Sequence, residues 1–148
     1  MERDVKIDKI DHKIIEILKK NGRMPNKEIA KILELSEGTI GNRINKLLKN
    51  DLIKIVGLAS PAVFPEKQFI YLGIKIDSNK LSIKVAQEIE KLPHVKSASI
   101  ITGQYDILVE LFMEISKLID FLNKELSRIE SIVSVESFVV LQSFSKFI

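Results

Sequence analysis

Hydrophobic residues recur at helical spacing near the start of the chain. Between Asp8 and Asn21 the spacing i, i+4, i+7 and i+8 places four apolar side chains on one helix face, namely Ile10, Ile14, Ile17 and Leu18. This pattern predicts an amphipathic helix. Asp8 is a suitable N-cap, and the helix should stop at Asn21-Gly22, where a left-handed residue can close it.

Two shorter segments with the same periodicity follow. The second predicted helix begins near Asn26, just after Pro25, and should bury Ile29, Ile32 and Leu33. The third begins at Ser36 and should bury Ile40, Ile44, Leu47 and Leu48. A connection of about three residues, Glu34-Leu35-Ser36, forces these two helices to cross steeply. The pattern therefore predicts a helix-turn-helix.

The periodicity changes after the third helix. Residues 52–58 are β-like, and two prolines, Pro61 and Pro65, then stop both helix and central strand. We interpret residues 1–52 as a helix-turn-helix domain, 53–66 as a strand and linker, and 67–148 as a second domain.

The second domain opens with a strand and a helix. Alternate residues of the strand face one side, namely Ile70, Leu72, Ile74 and Ile76. A helix from Ser78 to Leu92 follows and ends at Pro93; its apolar face should carry Leu81, Val85, Ile89 and Leu92.

Two strands, a helix and a last strand complete the pattern. Strands are predicted at Val95–Thr102 and Tyr105–Met113, joined by the short turn Gly103-Gln104. A helix from Ser116 to Arg128 should bury Leu118, Ile119, Leu122 and Leu126. A strand from Val133 to about Phe144 ends the domain. The order βαββαβ predicts a ferredoxin-like antiparallel sheet with both helices on one face, hence an α+β fold.

The other face of this sheet would be apolar and uncovered. The strand residues that should point away from the helices are Phe69, Tyr71, Leu108, Phe112, Phe138 and Val140. An apolar patch of this kind usually needs a partner, and a symmetric dimer is the simplest cover. The alternative is that the linker strand or a bulge shields the patch within one chain.

Composition narrows the classes of function. The 148 residues are 45% hydrophobic and 29% charged, as in a globular protein, and they include no cysteine. The chain has no apolar stretch of membrane-spanning length and a charged start, so we expect a cytoplasmic protein. Residues 1–60 carry a net charge of +4 and residues 61–148 one of −1. This asymmetry favours nucleic-acid binding by the first part, although chance scatter of lysines would also produce it.

In a helix-turn-helix the third helix enters the major groove of DNA. Its solvent face here should present Glu37, Thr39, Asn42, Arg43 and Lys46. Asn42 suits an adenine, Arg43 a guanine or a phosphate, and Ser36 at the helix start a phosphate. Gly38 and Gly41 supply no reading side chain, so the alternatives are sparse base readout or a merely solvated helix face.

The segment 101–106 is the most site-like part of the second domain. Gly103 can adopt backbone angles that leave peptide N–H groups free for a carboxylate. Asp106 and Tyr105 could hold an ammonium group and an apolar body, with Thr102 and Gln104 beside them, which suits an amino acid. The alternative is a hairpin turn in which Asp106 bonds its own backbone.

Enzymatic and metal-dependent functions find no support. His12 and His94 are far apart in sequence, and the chain has no cysteine nucleophile, no Walker loop and no GxGxxG. We therefore expect no enzyme, no metal and no cofactor apart from an amino-acid effector. An RNA-recognition module shares the strand order, but its aromatic-rich signature is missing.

The ordered motifs resemble the Lrp/AsnC family of leucine-responsive, or feast/famine, transcriptional regulators. The first part carries the resemblance at residues 10–18, 21–23, 28–30, 35–36, 39–40, 42–44, 47 and 52–54. The second part carries it at residues 92–95 and in Thr102-Gly103-Gln104-Tyr105-Asp106, which looks like the glycine-tyrosine-aspartate signature of the family. Together these fragments are specific.

The resemblance implies a winged or strand-extended helix-turn-helix and a homodimer with paired linker strands. It also implies assembly into tetramers, octamers or larger rings, and amino acids bound near Gly103 between dimers. Three residues depart from the family pattern: Pro25 replaces a capping Ser or Thr, Asp51 a glycine, and Gly41 a larger or basic residue. Asp51 can accept left-handed geometry, whereas Gly41 bears on the strength of DNA binding.

Our leading hypothesis is a sequence-specific DNA-binding regulator that responds to an amino acid. One alternative is an architectural protein that wraps DNA with little sequence reading. Another is an effector-binding oligomer that has lost DNA binding.

Overall fold

The computed structural model describes residues 6–77, 81–144 and 146–148. The chain divides into two compact units, one ending at Gly57 and the other beginning at Leu58. The assignment of residues 53–66 to a connecting strand and linker stays a prediction.

The first unit is a three-helix domain, as the apolar spacing predicted. Its helices are α1 (Lys9–Lys20), α2 (Asn26–Leu33) and α3 (Glu37–Lys49). They enclose one small core, formed by Ile14, Ile29, Ala30, Ile40, Ile44 and Leu47. The connection between α2 and α3 is short because Glu34, at φ 56°, ends α2 in the left-handed conformation.

Two residues predicted to be buried in this unit are exposed. Ile32 is 58% exposed, because Ile29 and Ala30 form the buried face of α2 and Ile32 projects about a quarter turn away from it. Leu48 is 36% exposed, because the buried face of α3 is centred on Ile40, Ile44 and Leu47. Both errors come from treating every apolar residue near a helix face as core.

Residues 52–60 form no strand within the described single chain, and the pairing of linker strands between two chains that the family resemblance implies stays a prediction. Ile55 and Val56 are exposed. A strand requires a hydrogen-bonded partner, and among the described residues of one chain residues 52–58 have none beside them. Nearby, Ala59 exchanges two backbone hydrogen bonds with Ile148, at 2.9 and 3.1 Å.

The second unit has the predicted βαββαβ order. Its elements are β1 (Gln68–Ile76), α4 (Ser82–Glu90), β2 (Val95–Ile100), β3 (Ile107–Met113), a second helix and β4 (Ile132–Val139). We call that second helix α5; it consists of four consecutive turns over residues 115–128. The sheet order is β2-β3-β1-β4 with every pair antiparallel, which confirms the α+β fold class.

Alternation along the strands places the core on the helix side of the sheet. Ile70, Leu72 and Ile74 of β1 are fully buried, and the neighbouring strand β3 contributes Val109 and Leu111 to the same cluster. The register pairs Ile70 with Leu111 on one side and with Val139 on the other.

Several predicted boundaries in this unit were wrong. β2 ends at Ile100 and β3 begins at Ile107, because residues 101–106 form a loop longer than a two-residue turn. β4 ends at Val139 instead of Phe144, because beyond Val140, whose amide donates to the Phe69 carbonyl, no strand partner continues. The predicted start of α4 at Ser78 lies outside the described residues, and Leu81 is exposed at the N-cap.

The turns of α5 are uneven, and this changes which residues are buried. Residues Phe121–Glu125 form a π turn between a short α segment, Leu118–Asp120, and a 3-10 turn, Leu126–Arg128. Phe121 is buried, whereas the predicted core residue Ile119 is 69% exposed. The π turn lets Phe121 and Leu126, five residues apart, share the face that contacts the sheet.

The opposite sheet face is partly covered within the chain. Phe69 and Phe112 were predicted to be exposed but are buried, whereas Phe138 remains exposed. The Phe64 ring meets the Phe112 ring edge-on with centroids 6.0 Å apart, and the ammonium of Lys146 lies 4.1 Å from the Phe69 ring centroid. Segments before β1 and after β4 thus shield part of the face, as the intramolecular alternative proposed. Tyr71, Leu108 and Val140 are half-buried.

Lys146 is held on this face by charge and hydrogen bonding. Its ammonium donates to the Tyr71 hydroxyl at 2.6 Å and lies 2.5 Å from a Glu110 carboxylate oxygen. Burial lowers the pKa of Lys146, but the hydrogen bonds to Glu110 and Tyr71 outweigh it, so the pKa is raised above its usual value.

Candidate nucleic-acid interface and ligand site

The start of α3 is fixed by side-chain capping. The Ser36 hydroxyl accepts a hydrogen bond from the Thr39 amide at 3.1 Å and lies 2.8 Å from the Thr39 hydroxyl. Serine is a strong N-cap because its oxygen satisfies an otherwise unpaired N–H of the first turn. Both hydroxyls predicted to approach DNA therefore also organise the helix end, with Ser36 exposed and Thr39 half-buried.

The outer face of α3 is open to a partner. Glu37, Gly38, Asn42 and Asn45 are all exposed. Within the described parts of the chain, the side-chain amide of Asn42 has no hydrogen-bond partner. Asn45 was missed by the sequence reasoning, although its spacing of three residues from Asn42 places both amides on one side of the helix.

Arg43 is turned away from this open face, and Lys46 lies at its edge. The Arg43 guanidinium donates to carboxylate oxygens of Asp8 and Asp11, each at 2.7 Å, and its side chain is 25% exposed. Lys46 donates to the backbone carbonyl of Lys6 at 2.7 Å and lies 3.5 Å from Asp11. The structure thus corrects the prediction that Arg43 is presented to solvent, whereas the Lys46 side chain is still 40% exposed. Both cations join α3 to the start of α1.

This charge cluster alters three pKa values. The pKa of Asp8 is lowered, first by the hydrogen bond from the Asp11 amide and then by Arg43. Burial raises the pKa of Asp11, but hydrogen bonds from Arg43 and from the Asp8 amide together reduce it below the usual value. The same contacts raise the pKa of Arg43. All three groups are therefore charged near neutral pH.

The two glycines of α3 have different surroundings. A Cβ at Gly41 would lie 3.3 Å from the side-chain amide nitrogen of Asn26, so Gly41 permits close approach of the start of α2. A Cβ at Gly38 would meet no atom within 4 Å. Close helix packing therefore accounts for Gly41, and nothing in the structure explains Gly38.

The predicted ligand loop is exposed at its tip. Thr102, Gly103 and Gln104 are all accessible. Gly103 adopts φ +121°, a conformation closed to most L residues, as predicted from its position in the turn. The backbone freedom expected of Gly103 is thus confirmed, and its contact with a ligand carboxylate stays a prediction.

Asp106 lies at the base of the loop and binds backbone. Its carboxylate accepts a hydrogen bond from the Ile76 amide at 3.0 Å, and its own amide donates to the Ile74 carbonyl at 2.9 Å. The Asp106 carbonyl also accepts from the Ile101 amide at 3.0 Å. Asp106 thus fastens the loop to the end of β1, a role that neither the effector prediction nor the hairpin alternative described.

Tyr105 packs on the sheet face that carries Phe138. Its hydroxyl donates to the Glu136 carboxylate, and its ring meets the Phe138 ring edge-on with centroids 6.1 Å apart. The ring lies directly over Gly73, where a Cβ would be 2.7 Å from ring carbons. No local sequence pattern identifies Gly73 or Glu136, because their contacts with Tyr105 span 31 residues or more.

In the described ranges, no three His, Cys, Asp or Glu side chains come together as a metal site. None of the described helices combines the length and the apolar composition that a bilayer crossing requires.

A three-helix unit with an open third helix, followed by an α+β unit with an accessible glycine loop, defines a helix-turn-helix regulator with a separate ligand-binding domain. Residues 7–48 match the model of the AsnC-type helix-turn-helix domain, and residues 70–147 match that of the Lrp/AsnC ligand binding domain. The chain belongs to the Lrp/AsnC family of transcriptional regulators.

Curated relatives are similar over nearly the whole chain. The transcriptional regulator FL11 of Pyrococcus furiosus is 32% identical, over 92% of this chain and 90% of its own length. The regulatory protein AsnC of Haemophilus influenzae is 30% identical, over 93% of both chains.

Solved structures agree with this assignment. The structure of E. coli AsnC has 29% sequence identity and a TM-score of 0.71, covering 94% of this chain and 95% of that chain. A Neisseria meningitidis transcriptional regulator solved as an L-Met complex has 24% identity and a TM-score of 0.73, over 95% and 94% of the two chains. The second likeness shows a shared fold.

These matches confirm the predicted family and general function. The chain is a transcriptional regulator with a DNA-binding helix-turn-helix and a ligand-binding domain, and the family is not one of enzymes.

Proposed function

We propose that this regulator recognises specific DNA sequences through the outer face of α3 and that an amino acid bound at the Gly103 loop alters its DNA occupancy. One observation carries the proposal of DNA recognition. The side-chain amide of Asn42 is exposed and, among the described residues, has no hydrogen-bond partner. It lies on a helix that Ser36 caps and that Arg43 joins to α1. A rigid helix with a free reading group is what groove recognition requires.

The contacts follow from the chemistry of each side chain. Asn42 can bond both N6 and N7 of an adenine, and Glu37 can accept from a cytosine amino group. Ser36, Thr39 and the first N–H groups of α3 suit phosphate oxygens. Arg43 and Lys46 contribute by orienting α3, because they bond to Asp8, Asp11 and the Lys6 carbonyl.

The proposal of amino-acid binding rests on the Gly103 loop and on one solved structure with the same fold. The tip residues Thr102, Gly103 and Gln104 offer backbone and side-chain polar groups to a ligand carboxylate. Tyr105 and Asp106 hold the base of the loop in place. The Tyr105 hydroxyl donates to Glu136, and the Asp106 carboxylate accepts from the Ile76 amide at the end of β1. The L-Met complex of the Neisseria regulator, which shares the fold, supports an amino acid as the ligand class.

The working form is a homodimer in the cytoplasm, which assembles further into tetramers, octamers or larger particles. Exposed apolar residues support this proposal: Phe138, Leu141, Phe144 and Phe147 of the second unit are uncovered in the single chain. A second copy is the simplest way to bury such residues. A dimer also doubles the number of α3 helices that can reach a palindromic DNA site.

The test is direct binding of the purified protein to its own upstream DNA, measured by fluorescence anisotropy over a series of salt concentrations and with each of the 20 amino acids. We expect preference over unrelated DNA, a steep loss of affinity with salt, and a shift in affinity with at least one amino acid. Equal affinity for unrelated DNA would contradict sequence-specific regulation.

A second function, architectural wrapping of DNA, is favoured by one observation. The bonds of Arg43 and Lys46 leave few long side chains on the open face of α3, and Gly38 adds none. Footprinting separates the two functions. A regulator protects short sites spaced by whole turns of DNA, whereas an architectural protein gives long, repeating protection that is insensitive to sequence.

A further inference from the structure

The chain segment just before α1, residues 6–8, is held against the side of α3. The Lys46 ammonium of α3 donates to the backbone carbonyl of Lys6 at 2.7 Å. At the other end of the segment, the Asp8 amide donates to the Asp11 carboxylate at 3.2 Å, and the Asp8 carboxylate accepts from Arg43 at 2.7 Å. The segment is therefore fixed to the first unit at both of its ends.

These contacts place the segment on one flank of the outer face of α3. Lys46 follows Asn42 by four residues, so the two lie on the same side of the helix. Arg43, one residue after Asn42, is turned by roughly 100° around the helix, toward α1. Asn42 and Asn45 are exposed, so residues 6–8 border the outer face without covering it.

A recognition helix leaves little free space at its flanks. An α-helix with its side chains is roughly 10–12 Å across, and the major groove of DNA is about 12 Å wide. A group that is attached to the flank of such a helix therefore meets the sugar-phosphate backbone that borders the groove. A cation in that position binds phosphate and carries no base-specific contact.

Lys6 is the cation that this segment presents. Its side chain is exposed and, in the part of the chain that the structure describes, has no ion pair and no hydrogen bond. The Asp8 carboxylate nearby already accepts from Arg43 and from two amides of α1. Lys6 bonds to α3 through its backbone carbonyl, which leaves its ammonium charge available for a phosphate.

We propose that Lys6 binds a phosphate of the DNA backbone beside the groove that α3 enters, and that Lys46 positions it there. Lys46 is a positioning residue in this respect, because its bond to the Lys6 carbonyl fixes the backbone from which the Lys6 side chain extends. The proposal rests on the proposed DNA recognition by α3 and adds a contact from outside the three helices.

The salt dependence of DNA binding gives the readout. Full-length wild type and Lys6→Ala are compared by fluorescence anisotropy on the upstream DNA and on unrelated DNA, over a series of salt concentrations. Loss of one phosphate contact should reduce the slope of log affinity against log salt concentration by about 0.9 for each bound chain. Affinity should fall by the same factor on both DNAs, because phosphates carry no sequence information. Lys6→Arg should keep the wild-type slope, since arginine also binds phosphate.

The matched control is an exposed lysine on the far side of α1. Lys13 lies two residues after Asp11, so its side chain projects roughly 200° around the helix from the carboxylate that meets α3. Lys13→Ala removes the same charge from the same unit and should leave the slope unchanged.

A double-variant comparison tests the positioning role. Lys46→Met keeps most of the aliphatic stem but removes the bond to the Lys6 carbonyl. In this background Lys6→Ala should reduce the slope clearly less than it does in the wild type, because Lys6 is no longer held at the flank. Thermal unfolding checks that each variant is folded, and the comparison of Lys6→Ala with Lys13→Ala does not depend on the Lys46 variant.

Two results would overturn this proposal alone. One is a slope in Lys6→Ala equal to that in Lys13→Ala while Asn42→Ala still weakens binding, since DNA recognition by α3 would then proceed without Lys6. The other is an equal effect of Lys6→Ala with and without Lys46, since Lys46 would then not position it. Absence of DNA binding by the wild-type chain would overturn the proposed function as well.

Discussion

Asp11 shows how one side chain can decide the role of several others. It is fully buried, receives Arg43 at 2.7 Å, and lies 3.5 Å from the Lys46 ammonium. Burying a carboxylate without a charged partner costs folding free energy, so the folded state pairs Asp11 with these cations. The consequence is that the cations of α3 position the helix, and polar residues of its outer face are left for the reading of DNA.

The first prediction concerns this ion pair. Arg43→Ala should lower the free energy of unfolding of the first unit by about 2–4 kcal/mol, because it leaves the buried Asp11 carboxylate without its main partner. Urea unfolding followed by circular dichroism measures the change. Arg23→Ala, at an exposed arginine, is the control and should change stability little. A loss in Arg43→Ala no larger than in this control would mean that the pair is not structural.

The second prediction concerns the reading residue. Asn42→Ala should weaken binding to the preferred DNA site by roughly 5- to 100-fold, because a bidentate contact to adenine is worth about 1–3 kcal/mol of discrimination. Anisotropy on the preferred and on unrelated DNA measures it, and stability should stay unchanged. The matched control is Asn123→Ala, an exposed asparagine of the second unit. Unchanged affinity for the preferred site would remove Asn42 from the interface.

At the scale of elements, the helix ends differ in how well they are capped. Asp8 and Asp11 form a reciprocal capping box at the start of α1, and Ser36 caps α3. α2 begins after Pro25, which has extended angles but provides no side-chain bond to the first turn. Asp51 and Glu34 adopt positive φ at the ends of helices, and the left-handed geometry expected for Asp51 is confirmed.

The capping difference leads to a third prediction. Pro25→Ser should be more stable than Pro25→Ala by roughly 0.5–1 kcal/mol, since the serine oxygen can satisfy an N–H of α2 while both variants lose the rigid proline ring equally. Thermal unfolding is the measurement. Pro25→Ala, which removes the ring without adding a cap, is the control, and the serine variant should be the more stable of the two. Equal stability would show that the cap is not formed.

A fourth prediction concerns the contact between β1 and the ligand loop. Gly73→Ala should lower stability by about 1–3 kcal/mol, because the new methyl group would overlap the Tyr105 ring and force it away from Glu136. It should also weaken amino-acid binding at the loop, measurable by calorimetry. Gly57→Ala, where a Cβ meets no atom within 4 Å, is the control. Normal stability in Gly73→Ala would indicate that the ring moves freely.

At the scale of the whole molecule, the Asp8–Asp11–Arg43 cluster and Lys146 contribute to stability with opposite pH dependence. The lowered pKa values of Asp8 and Asp11 stabilise the first unit above the unfolded carboxylate pKa, and this contribution disappears as pH falls through the lowered values. The raised pKa of Lys146 stabilises the second unit at lower pH, and this contribution disappears as pH rises through the raised value.

The fifth prediction follows from these signs. Below about pH 4 the denaturation midpoint of the first unit should fall, and Arg43→Ala should flatten that fall. Above about pH 10.5 the midpoint of the second unit should fall, and Lys146→Met should flatten it. Denaturant unfolding at a series of pH values measures both. A pH profile that is the same in wild type and variants would show that these groups do not provide the dependence.

The sequence by itself determined the order of elements, the two core faces and the family. These depend on local spacing: Ile14 and Ile40 repeat with their neighbours at helical intervals, and Ile70, Leu72 and Ile74 alternate along a strand. It also located Gly103, because a turn of that kind needs its backbone freedom. Such signals lie within a few residues of one another, so a single sequence contains them.

Only the tertiary structure decided where the polar side chains are used. Arg43 turned inward because Asp11, 32 residues away, is buried beside it, and Tyr105 acquired Gly73 and Glu136 as neighbours only when three strands aligned. The π turn that buries Phe121 likewise reflects packing against the sheet. Charges, hydrogen bonds and close contacts between distant segments depend on where the folded chain places them, and no local pattern encodes that placement.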